Sequence, residues 1–220
     1  MALIAERTNL LHPLRDFVKV HRRPTWGTCA GMILLSESAN RTKRGGQDLI
    51  GGLDVRVNRN HFGRQVESFV VPLNLSCLGE GAEPFQAVFI RAPIVEAVLP
   101  QRHGKEEEEV HAPALKPKGP VEEACLEGMW ERVEVLGELP GEKVPETGMD
   151  GEDRLVGAED REREREVRGG SSRVVAVRQG NVVGTSFHPE LTGDTRLHRW
   201  WLEKVVADLE RRERLVAEGL

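Results

Sequence analysis

A cysteine lies between two glycines in the segment Gly27-Thr28-Cys29-Ala30-Gly31. Thr25-Trp26 before it has the character of a short buried strand, and Met32-Ile33-Leu34-Leu35 after it is an apolar helical run, so the spacing predicts a sharp strand-to-helix turn. Such a turn exposes its central side chain, and the flanking glycines remove Cβ atoms that would clash. Orphan N–H groups and the dipole at a helix N-terminus favour a thiolate. Cys29 is therefore the candidate nucleophile.

A base and a carboxylate stand together far downstream, in Phe187-His188-Pro189-Glu190. His188 can accept and return a proton, and Glu190 can orient the imidazole ring, so with Cys29 they are the parts of an acyl-transfer site. Either motif alone is weak, because a cysteine between glycines is more often structural and H-P-E is a common loop sequence. The two motifs together, each at the end of a predicted strand, favour catalysis.

The other two cysteines lack such a setting. Cys77 follows Leu73-Asn74-Leu75 in a segment with strand character and is predicted to be a small core residue. Cys125 lies in a charged, irregular stretch and is predicted to be exposed. The cysteine spacings match neither a disulfide framework nor a zinc site. We therefore expect a reducing, cytoplasmic setting and no metal or other cofactor.

Bulk composition excludes several functional classes. The chain has 220 residues and a net charge of −5, which argues against a general nucleic-acid-binding surface. No apolar run approaches the roughly 18 residues that span a bilayer, and the N-terminus does not resemble a secretion signal. We therefore expect neither nucleic acid nor membrane as a partner. Charged residues make up 30% and aromatic residues 5% of the chain, so part of it is predicted to be disordered.

Hydrophobic periodicity predicts alternating helices and strands. Residues 2–20 are predicted to be an amphipathic helix in which Pro13 marks the first turn of a second segment, and residues 36–46 a loop. Strands are predicted at 53–57, 66–75, 86–90, 131–136, 173–178 and 181–187, with a turn at Gln179-Gly180. The final helix is predicted to begin near Thr192 or Asp194, either of which can cap it. The segments 100–130 and 138–172 are predicted to be charged, disordered insertions, which leaves 1–99, 131–137 and 173–220 as a single domain.

Four strings in the chain resemble those of a known family. They are W-G-T-C-A-G-M-I-L-L, V-N-R-N-H-F-G-R-Q-V-E-S-F, V-F-I-R-A-P and G-T-S-F-H-P-E-L-T. The first and last are typical of class I (triad) glutamine amidotransferases in general. The middle two indicate the branch formed by the glutaminase subunits of pyridoxal 5′-phosphate synthase. The resemblance covers residues 2 to about 99, a short piece at 131–137, and 173 to about 207.

The resemblance implies a flavodoxin-like α/β fold, a three-layer sandwich with a mixed central sheet. It implies that Cys29 is the nucleophile, His188 the general base and acid, and Glu190 the orienting carboxylate. Members of this family release ammonia from L-glutamine for vitamin B6 synthesis, and a synthase (lyase) subunit combines the ammonia with a pentose phosphate and a triose phosphate.

The resemblance also assigns residues to a glutamine pocket. Arg59 corresponds to a glutamine-contacting arginine, and Ile90 and Arg91 match positions that line the same pocket. On chemical grounds, either Arg59 or Arg64 can pair bidentately with the substrate α-carboxylate. The backbone N–H of Ala30, directly after the nucleophile, is a candidate oxyanion donor.

One departure from the family pattern leaves alternatives open. Family members have an initial strand and a P-G-G-E-S-T loop before the helix that starts here near Ala2, so we expect this chain to lack the first strand and the oxyanion loop. Because a missing oxyanion donor costs roughly 10²–10³ in rate, the first alternative is a catalytically impaired form that only binds the synthase subunit. The second is a different triad amidotransferase or a cysteine hydrolase of similar fold, which the two middle strings disfavour.

Overall fold

The structure is a computed structural model that describes residues 2–40, 48–59, 68–99, 109–113, 132–140 and 173–219. The strands are β1 (Thr25–Thr28), β2 (Ser36–Asn40), β3 (Leu53–Asn58), β4 (Ser68–Leu73), β5 (Phe85–Ile90), β6 (Ile94–Val98), β7 (Glu109–His111), β8 (Glu134–Glu138), β9 (Val174–Gln179) and β10 (Val182–Thr185). The α-helices are α1 (Ala2–Arg7), α2 (Leu11–Arg15), α3 (Ala30–Leu35) and α4 (Arg196–Ala217). A π-helical turn covers Asp16–Val20, and 3₁₀ turns cover Ser76–Leu78 and Pro189–Leu191.

The central sheet is mixed, as predicted. Within the described residues its strand order is β1-β10-β9-β6-β3-β2-β7, with β8 also paired to β9, and β4 and β5 form a separate antiparallel pair. Strands β1 and β10 are parallel, whereas β9 is antiparallel to β10. The carboxyl ends of β1 and β10 therefore meet at one edge of the sheet.

Apolar side chains on the two faces of β10 enter two different cores. Val182 and Val183 are adjacent in the strand and point to opposite faces, and each belongs to a separate buried cluster. The first cluster contains side chains of the β4–β5 pair together with Leu197 of α4. The second contains Leu11 of α2 and Met32 of α3. Helices thus cover both faces of the sheet, which is the predicted α/β layering.

The N-terminal helical region divides between Arg7 and Leu11, and Pro13 belongs to the start of the second segment, as predicted. Helix α2 begins at Leu11, so Pro13 lies in its first turn, where a missing N–H costs little. The apolar stripe of the amphipathic helix predicted over residues 2–20 is only partly buried. It therefore does not form the single core-facing surface that an amphipathic helix implies. Leu11 and Val18 are buried, whereas other members of the stripe are exposed, namely Leu3, Ile4, Leu10, Leu14 and Phe17.

The loop predicted at 36–46 is wrong for its first half. Ser36–Asn40 forms β2, which is hydrogen-bonded to β3 on one side and β7 on the other. Its polar side chains tolerate this position because they have partners: Glu37 forms an ion pair with Lys19 at 2.7 Å and accepts a hydrogen bond from the Gly52 N–H at 2.8 Å. Residues 41–46 and the turn predicted at 60–65 lie outside the described residues.

The C-terminal elements agree with prediction to within a few residues. The β9–β10 reversal is centred on Gly180 and the residue after it, since Gln179 is already paired with Val182. Gly180 has φ +57°, which suits glycine. Helix α4 begins at Arg196, later than predicted, and the Asp194 carboxylate accepts a hydrogen bond from the Arg196 N–H at 3.0 Å.

Three sheet elements differ from the sequence prediction. Strand β6 was not predicted. Strand β7 falls within the segment assigned to the first insertion, and it pairs with β2. Strand β8 begins three residues later than the strand predicted from 131. The predicted disorder is wrong at the start of the second insertion, because Glu138 ends β8 and the buried Leu139 donates its N–H to the Arg173 carbonyl at 2.9 Å. Apart from residues 109–113 and 138–140, both insertions lie outside the described residues, so their disorder stays a prediction. Among the helices in the described part of the chain, none is long and apolar enough to cross a membrane.

Candidate active site

Cys29 occupies the sharp turn that the sequence predicts. It follows the last residue of β1 and precedes the first residue of α3, and its backbone has φ 48° and ψ −108°. This conformation is rare for a residue with a Cβ atom and is characteristic of functional turns. The Cys29 N–H donates to the Thr185 carbonyl at 2.7 Å, which ties the strained residue to the end of β10.

The two flanking glycines are not equivalent. A Cβ atom on Gly27 would lie 2.5 Å from the backbone carbon of Gly31 and 2.7 Å from a Leu35 side-chain atom, so β1 and α3 can approach only over a glycine. A Cβ atom on Gly31 would meet nothing within 4 Å. The expectation that both glycines relieve a clash is therefore correct for Gly27 and wrong for Gly31.

The surroundings of the thiol favour its protonated form. Burial raises the pKa of Cys29, and the nearby Glu190 carboxylate raises it further. The Ala30 N–H and the Arg91 charge act in the opposite direction but do not reverse the shift. The sequence-based expectation of a thiolate favoured by the helix N-terminus is thus corrected, because desolvation exceeds the effect of this short helix. A base is needed to activate the thiol.

His188 and Glu190 form a directly hydrogen-bonded pair. Nδ1 of His188 lies 2.7 Å from Oε1 of Glu190, and the backbone N–H of His188 donates to the Val88 carbonyl at 2.8 Å. Burial acts to raise the pKa of Glu190, but hydrogen bonds from His188 and from its own backbone N–H, with the charges of His188 and His198, lower it. An ionised carboxylate only accepts, so it holds the proton of a neutral imidazole on Nδ1 and leaves Nε2 as the basic nitrogen.

The parallel pairing of β1 and β10 brings the two motifs to the same edge of the sheet. Thr28 is paired with Thr185 at the carboxyl ends of the two strands. Cys29 is the next residue on one chain segment, and His188 follows Thr185 by three residues on the other. Residues far apart in sequence thus lie at adjacent strand ends, which is where α/β folds concentrate their functional groups.

Ile90 and Arg91 lie beside the thiol, and their predicted role in lining a glutamine pocket stays a prediction. The Sγ atom of Cys29 is 3.8 Å from the Ile90 carbonyl oxygen, which accepts the thiol hydrogen bond. Arg91 has a left-handed backbone with φ 46°, and its charge is close enough to act on the thiol pKa. The loop after β5 therefore forms one wall of the site.

Arg59 directly follows β3. The preceding Asn58 is paired with Ile94, the third residue after Arg91, so Arg59 approaches the β5–β6 loop. Its backbone N–H donates to Asn40 Oδ1 at 3.0 Å, and burial lowers the pKa of its guanidinium. A half-buried guanidinium is suited to binding a carboxylate, and contact with glutamine stays a prediction.

The other residues considered from the sequence are Cys77, Cys125 and Arg64. Cys77 sits in the 3₁₀ turn after β4 instead of a strand; it packs partly buried against the first core, and burial raises the pKa of its thiol to about 11. Cys125 and Arg64 lie outside the described residues. Within the described ranges, no group of three or more His, Cys, Asp or Glu side chains is placed to hold a metal ion.

Sequence reasoning did not single out Thr185, whose carbonyl accepts the hydrogen bond of the Cys29 N–H. Thr185 is 1% exposed, and its hydroxyl accepts a hydrogen bond from Trp26 Nε1 at 3.1 Å and donates to the Phe187 carbonyl at 3.4 Å. The Trp26 ring also packs against His198 and Trp201 of α4. The string G-T-S-F-H-P contains this threonine, but its partner Trp26 is distant in sequence.

The fold and the site define an α/β protein in which a strained cysteine and a hydrogen-bonded His–Glu pair lie at adjacent strand ends. The particular family follows from a match to the family model described as the SNO glutamine amidotransferase family, over residues 1–114 and 153–207. The matched ranges include Cys29, His188 and Glu190. The chain belongs to the SNO glutamine amidotransferase family.

Curated relatives agree with this assignment. The chain is 38% identical over 215 residues to the "Probable pyridoxal 5'-phosphate synthase subunit PDX2" of Arabidopsis thaliana, and the alignment covers 96% of this chain and 68% of that protein. It is 37% identical over 205 residues to the "Pyridoxal 5'-phosphate synthase subunit PdxT" of Leifsonia xyli, with 93% of this chain and 71% of that protein covered.

A solved structure supports the fold. The chain resembles a protein described as "Crystal structure of glutamine amidotransferase", with a TM-score of 0.54 and 30% sequence identity over 93% of this chain and 72% of that chain. Together with the mixed sheet covered by helices on both faces, this likeness confirms the predicted α/β fold of a class I glutamine amidotransferase.

Proposed function

We propose that the chain is a glutaminase that hydrolyses the side-chain amide of L-glutamine through Cys29, His188 and Glu190. We further propose that it passes the ammonia, in the cytoplasm, to the synthase (lyase) subunit of pyridoxal 5′-phosphate synthase. The main support is the placement of Cys29 and the His188–Glu190 pair at adjacent ends of parallel strands. Family membership and the names of the relatives support the substrate and the partner.

The first half of the reaction forms a thioester. His188 Nε2 takes the proton from the Cys29 thiol, and the sulfur attacks the amide carbon of glutamine. The carbonyl π electrons move onto oxygen, where the Ala30 N–H can donate to the developing oxyanion. When the tetrahedral intermediate collapses, His188 gives its proton to the leaving nitrogen, the carbon–nitrogen bond breaks, and ammonia departs.

The second half regenerates the enzyme. His188 removes a proton from water, and the resulting hydroxide attacks the thioester carbon. The carbon–sulfur bond then breaks, glutamate is released, and the proton on His188 returns to the sulfur. Glu190 stays ionised throughout and stabilises the imidazolium through its hydrogen bond to Nδ1. Its lowered pKa is consistent with this role.

The pocket residues supply substrate recognition. The glutamine α-carboxylate carries a negative charge that the half-buried Arg59 can pair with in a bidentate geometry. Arg91 and the Ile90 backbone lie beside the thiol, and they confine the substrate side chain. This arrangement orients the amide carbon toward Cys29.

The test is ammonia release from glutamine, measured for the full chain with and without the synthase subunit. Wild type is expected to produce equal amounts of ammonia and glutamate when the subunit is present. Cys29→Ala is expected to abolish turnover, whereas Cys77→Ala, at the other described cysteine, is expected to retain it. Unchanged ammonia release by Cys29→Ala would exclude the proposed nucleophile.

A labelling experiment separates catalysis from binding alone. A glutamine-analogue electrophile is expected to modify Cys29 rapidly and to be excluded by excess L-glutamine. Co-purification with the synthase subunit, combined with an absence of labelling and turnover, would instead favour a protein that only binds its partner. Activity toward another amide with none toward glutamine would indicate a different triad hydrolase.

A further inference from the structure

Thr185 contacts both halves of the proposed site. Its carbonyl oxygen accepts a hydrogen bond from the Cys29 N–H at 2.7 Å. Its hydroxyl accepts from Trp26 Nε1 at 3.1 Å and donates to the Phe187 carbonyl at 3.4 Å. One buried residue therefore bridges β1, the nucleophile turn and the residue that directly precedes His188.

The hydroxyl accepts one hydrogen bond and donates one through these contacts. A hydroxyl has one donor hydrogen and two acceptor lone pairs, and here the hydrogen points to Phe187 while a lone pair receives the Trp26 N–H. Because Thr185 is 1% exposed, water has little opportunity to replace either partner. Loss of the hydroxyl would leave the indole N–H and the Phe187 carbonyl without this hydrogen bond.

The residues on both sides of the bridge are held by packing. Phe187 is fully buried, and its ring contacts Phe85 and Phe89 at centroid distances of 5.8 and 5.7 Å. The Trp26 ring lies 5.3 Å from the His198 ring and 6.0 Å from the Trp201 ring. Because packing holds Trp26 on one side and Phe187 on the other, the Thr185 hydroxyl between them sets the distance from the Trp26 indole to the Phe187 carbonyl.

We infer that Thr185 is a positioning residue that sets the separation between the Cys29 thiol and the His188 imidazole. The inference rests on the proposed function, because the separation matters only if the imidazole takes the thiol proton. Thr185 acts through the Cys29 amide and the Phe187 carbonyl and does not itself touch the reacting atoms. A displacement of about 1 Å at such a site can cost up to about 10²-fold in rate.

The first test uses steady-state kinetics of the full chain with the synthase subunit. Thr185→Val keeps the branched shape and removes the hydroxyl, and we expect kcat to fall about tenfold while KM stays within about twofold. Thr185→Ser restores the hydroxyl and is expected to recover most of kcat. Thr25→Val is the matched control on β1, since its hydroxyl donates locally to the Arg23 carbonyl at 2.9 Å, and its kcat should equal that of wild type.

The second test needs no glutamine turnover. The rate of Cys29 alkylation by iodoacetamide is measured from about pH 6 to about pH 10 in wild type, Thr185→Val, His188→Ala and the double variant. Thr185→Val is expected to lose the neutral-pH reactivity that His188 provides. In the His188→Ala background the same change should have no further effect, because the lost hydroxyl acts on His188 through the Phe187 carbonyl and the backbone bond between Thr185 and Cys29 is kept.

The outcomes separate the two proposals. Additive effects of Thr185→Val and His188→Ala, or a Thr185→Val alkylation profile equal to that of wild type, would overturn the positioning role. If wild type releases no ammonia from glutamine, the proposed function fails, and the alkylation cycle still decides whether Thr185 positions the pair. If Thr185→Val does not fold, Trp26→Phe is used instead, because it removes the indole N–H that donates to the same hydroxyl. This variant should lower the rate of Cys29 alkylation at neutral pH. An alkylation rate equal to that of wild type would overturn the inference.

Discussion

Polar groups at the two ends of the β1–β10 strand pair differ in their burial and in their pairing. At the carboxyl ends, Cys29 is strained and half-buried, and Glu190 is half exposed. At the amino ends, Asp208 and Arg212 of α4 are 5% and 6% exposed and form an ion pair at 2.6 Å. We call the carboxyl ends, with Cys29 and Glu190, the reactive edge. We call the amino ends, with Asp208 and Arg212, the paired edge.

The paired edge is a closed hydrogen-bonded network. The Asn181 side chain donates to Asp208 Oδ1 at 2.7 Å and to the Arg22 carbonyl at 3.1 Å. Arg212 donates to the same Arg22 carbonyl at 2.8 Å, and the Thr25 N–H donates to the Asn181 carbonyl at 3.0 Å. These hydrogen bonds therefore hold helix α4 against the start of both strands.

The difference shows how stability and reactivity are divided within one strand pair. A buried charge is tolerated when it is paired and hydrogen-bonded, as Asp208 is at the amino ends. The carboxyl ends instead hold backbone strain and a raised thiol pKa, as expected where the proposed nucleophile and base must leave capacity for a substrate. The four predictions below test this division.

The largest effect is expected at the strained cysteine. Cys29→Gly should lower turnover by about 10⁴-fold or more, because it removes the nucleophile. It should also raise the free energy of unfolding by about 1 kcal/mol, since glycine adopts a positive φ without strain. Activity assays and urea denaturation measure the two changes. A lower stability for Cys29→Gly would show that the turn is not strained.

At the paired edge we expect stability to fall while turnover is kept. Asp208→Ala leaves the Arg212 charge buried without its carboxylate, so the free energy of unfolding should fall by about 3–5 kcal/mol. Turnover per folded molecule should stay close to wild type. The matched control is Glu203→Ala on the same helix, because its exposed pair with Arg199 should contribute less than about 1 kcal/mol. Equal losses in the two variants would remove the distinction between the edges.

A third prediction concerns the acidity of the thiol. Because burial raises the pKa of Cys29 above 9.0, less than about 1% of it should be thiolate at neutral pH once His188 is removed. In His188→Ala the alkylation rate should therefore rise with an inflection above pH 9.0. A neutral-pH inflection that survives in this variant would mean that another group activates the thiol.

The smallest effect is expected from the carboxylate at the reactive edge. The pKa of Glu190 is lowered from 4.5 in the folded chain, so its charged form stabilises the fold above that pH, and this contribution disappears as pH falls through the folded pKa. Solvent screens the half-exposed group, so the contribution is small. The difference in unfolding free energy between wild type and Glu190→Gln should shrink from about pH 6 to about pH 3. A difference independent of pH would contradict the pairing with His188.

Sequence reasoning succeeded where the physical cause is local. The strand-to-helix turn at Cys29, the strand at Leu53–Asn58 and the helical break before Pro13 all follow from patterns within a few residues. The same is true of the His188–Glu190 pair, which lies within one 3₁₀ turn and the residue before it. Such features depend on backbone geometry and side-chain period alone.

It failed where distant residues supply the partners. Ser36–Asn40 is polar, yet it forms a buried strand because Lys19 and the Gly52 N–H satisfy Glu37. The thiol was expected to be acidic, but burial outweighs the helix N-terminus. Neither the burial of a residue nor the location of its partner can be read from local periodicity.

The sequence by itself predicted the candidate reactive groups: a thiol in a sharp strand-to-helix turn shortly after Gly27, and an imidazole with a carboxylate two residues away. Only the tertiary structure decided that these groups lie at adjacent strand ends, that burial raises the pKa of the thiol, and that Thr185 hydrogen-bonds to the Cys29 N–H and the Phe187 carbonyl. Pairing of β1 with β10 joins segments more than 150 residues apart, and burial and distance exist only after that pairing has formed.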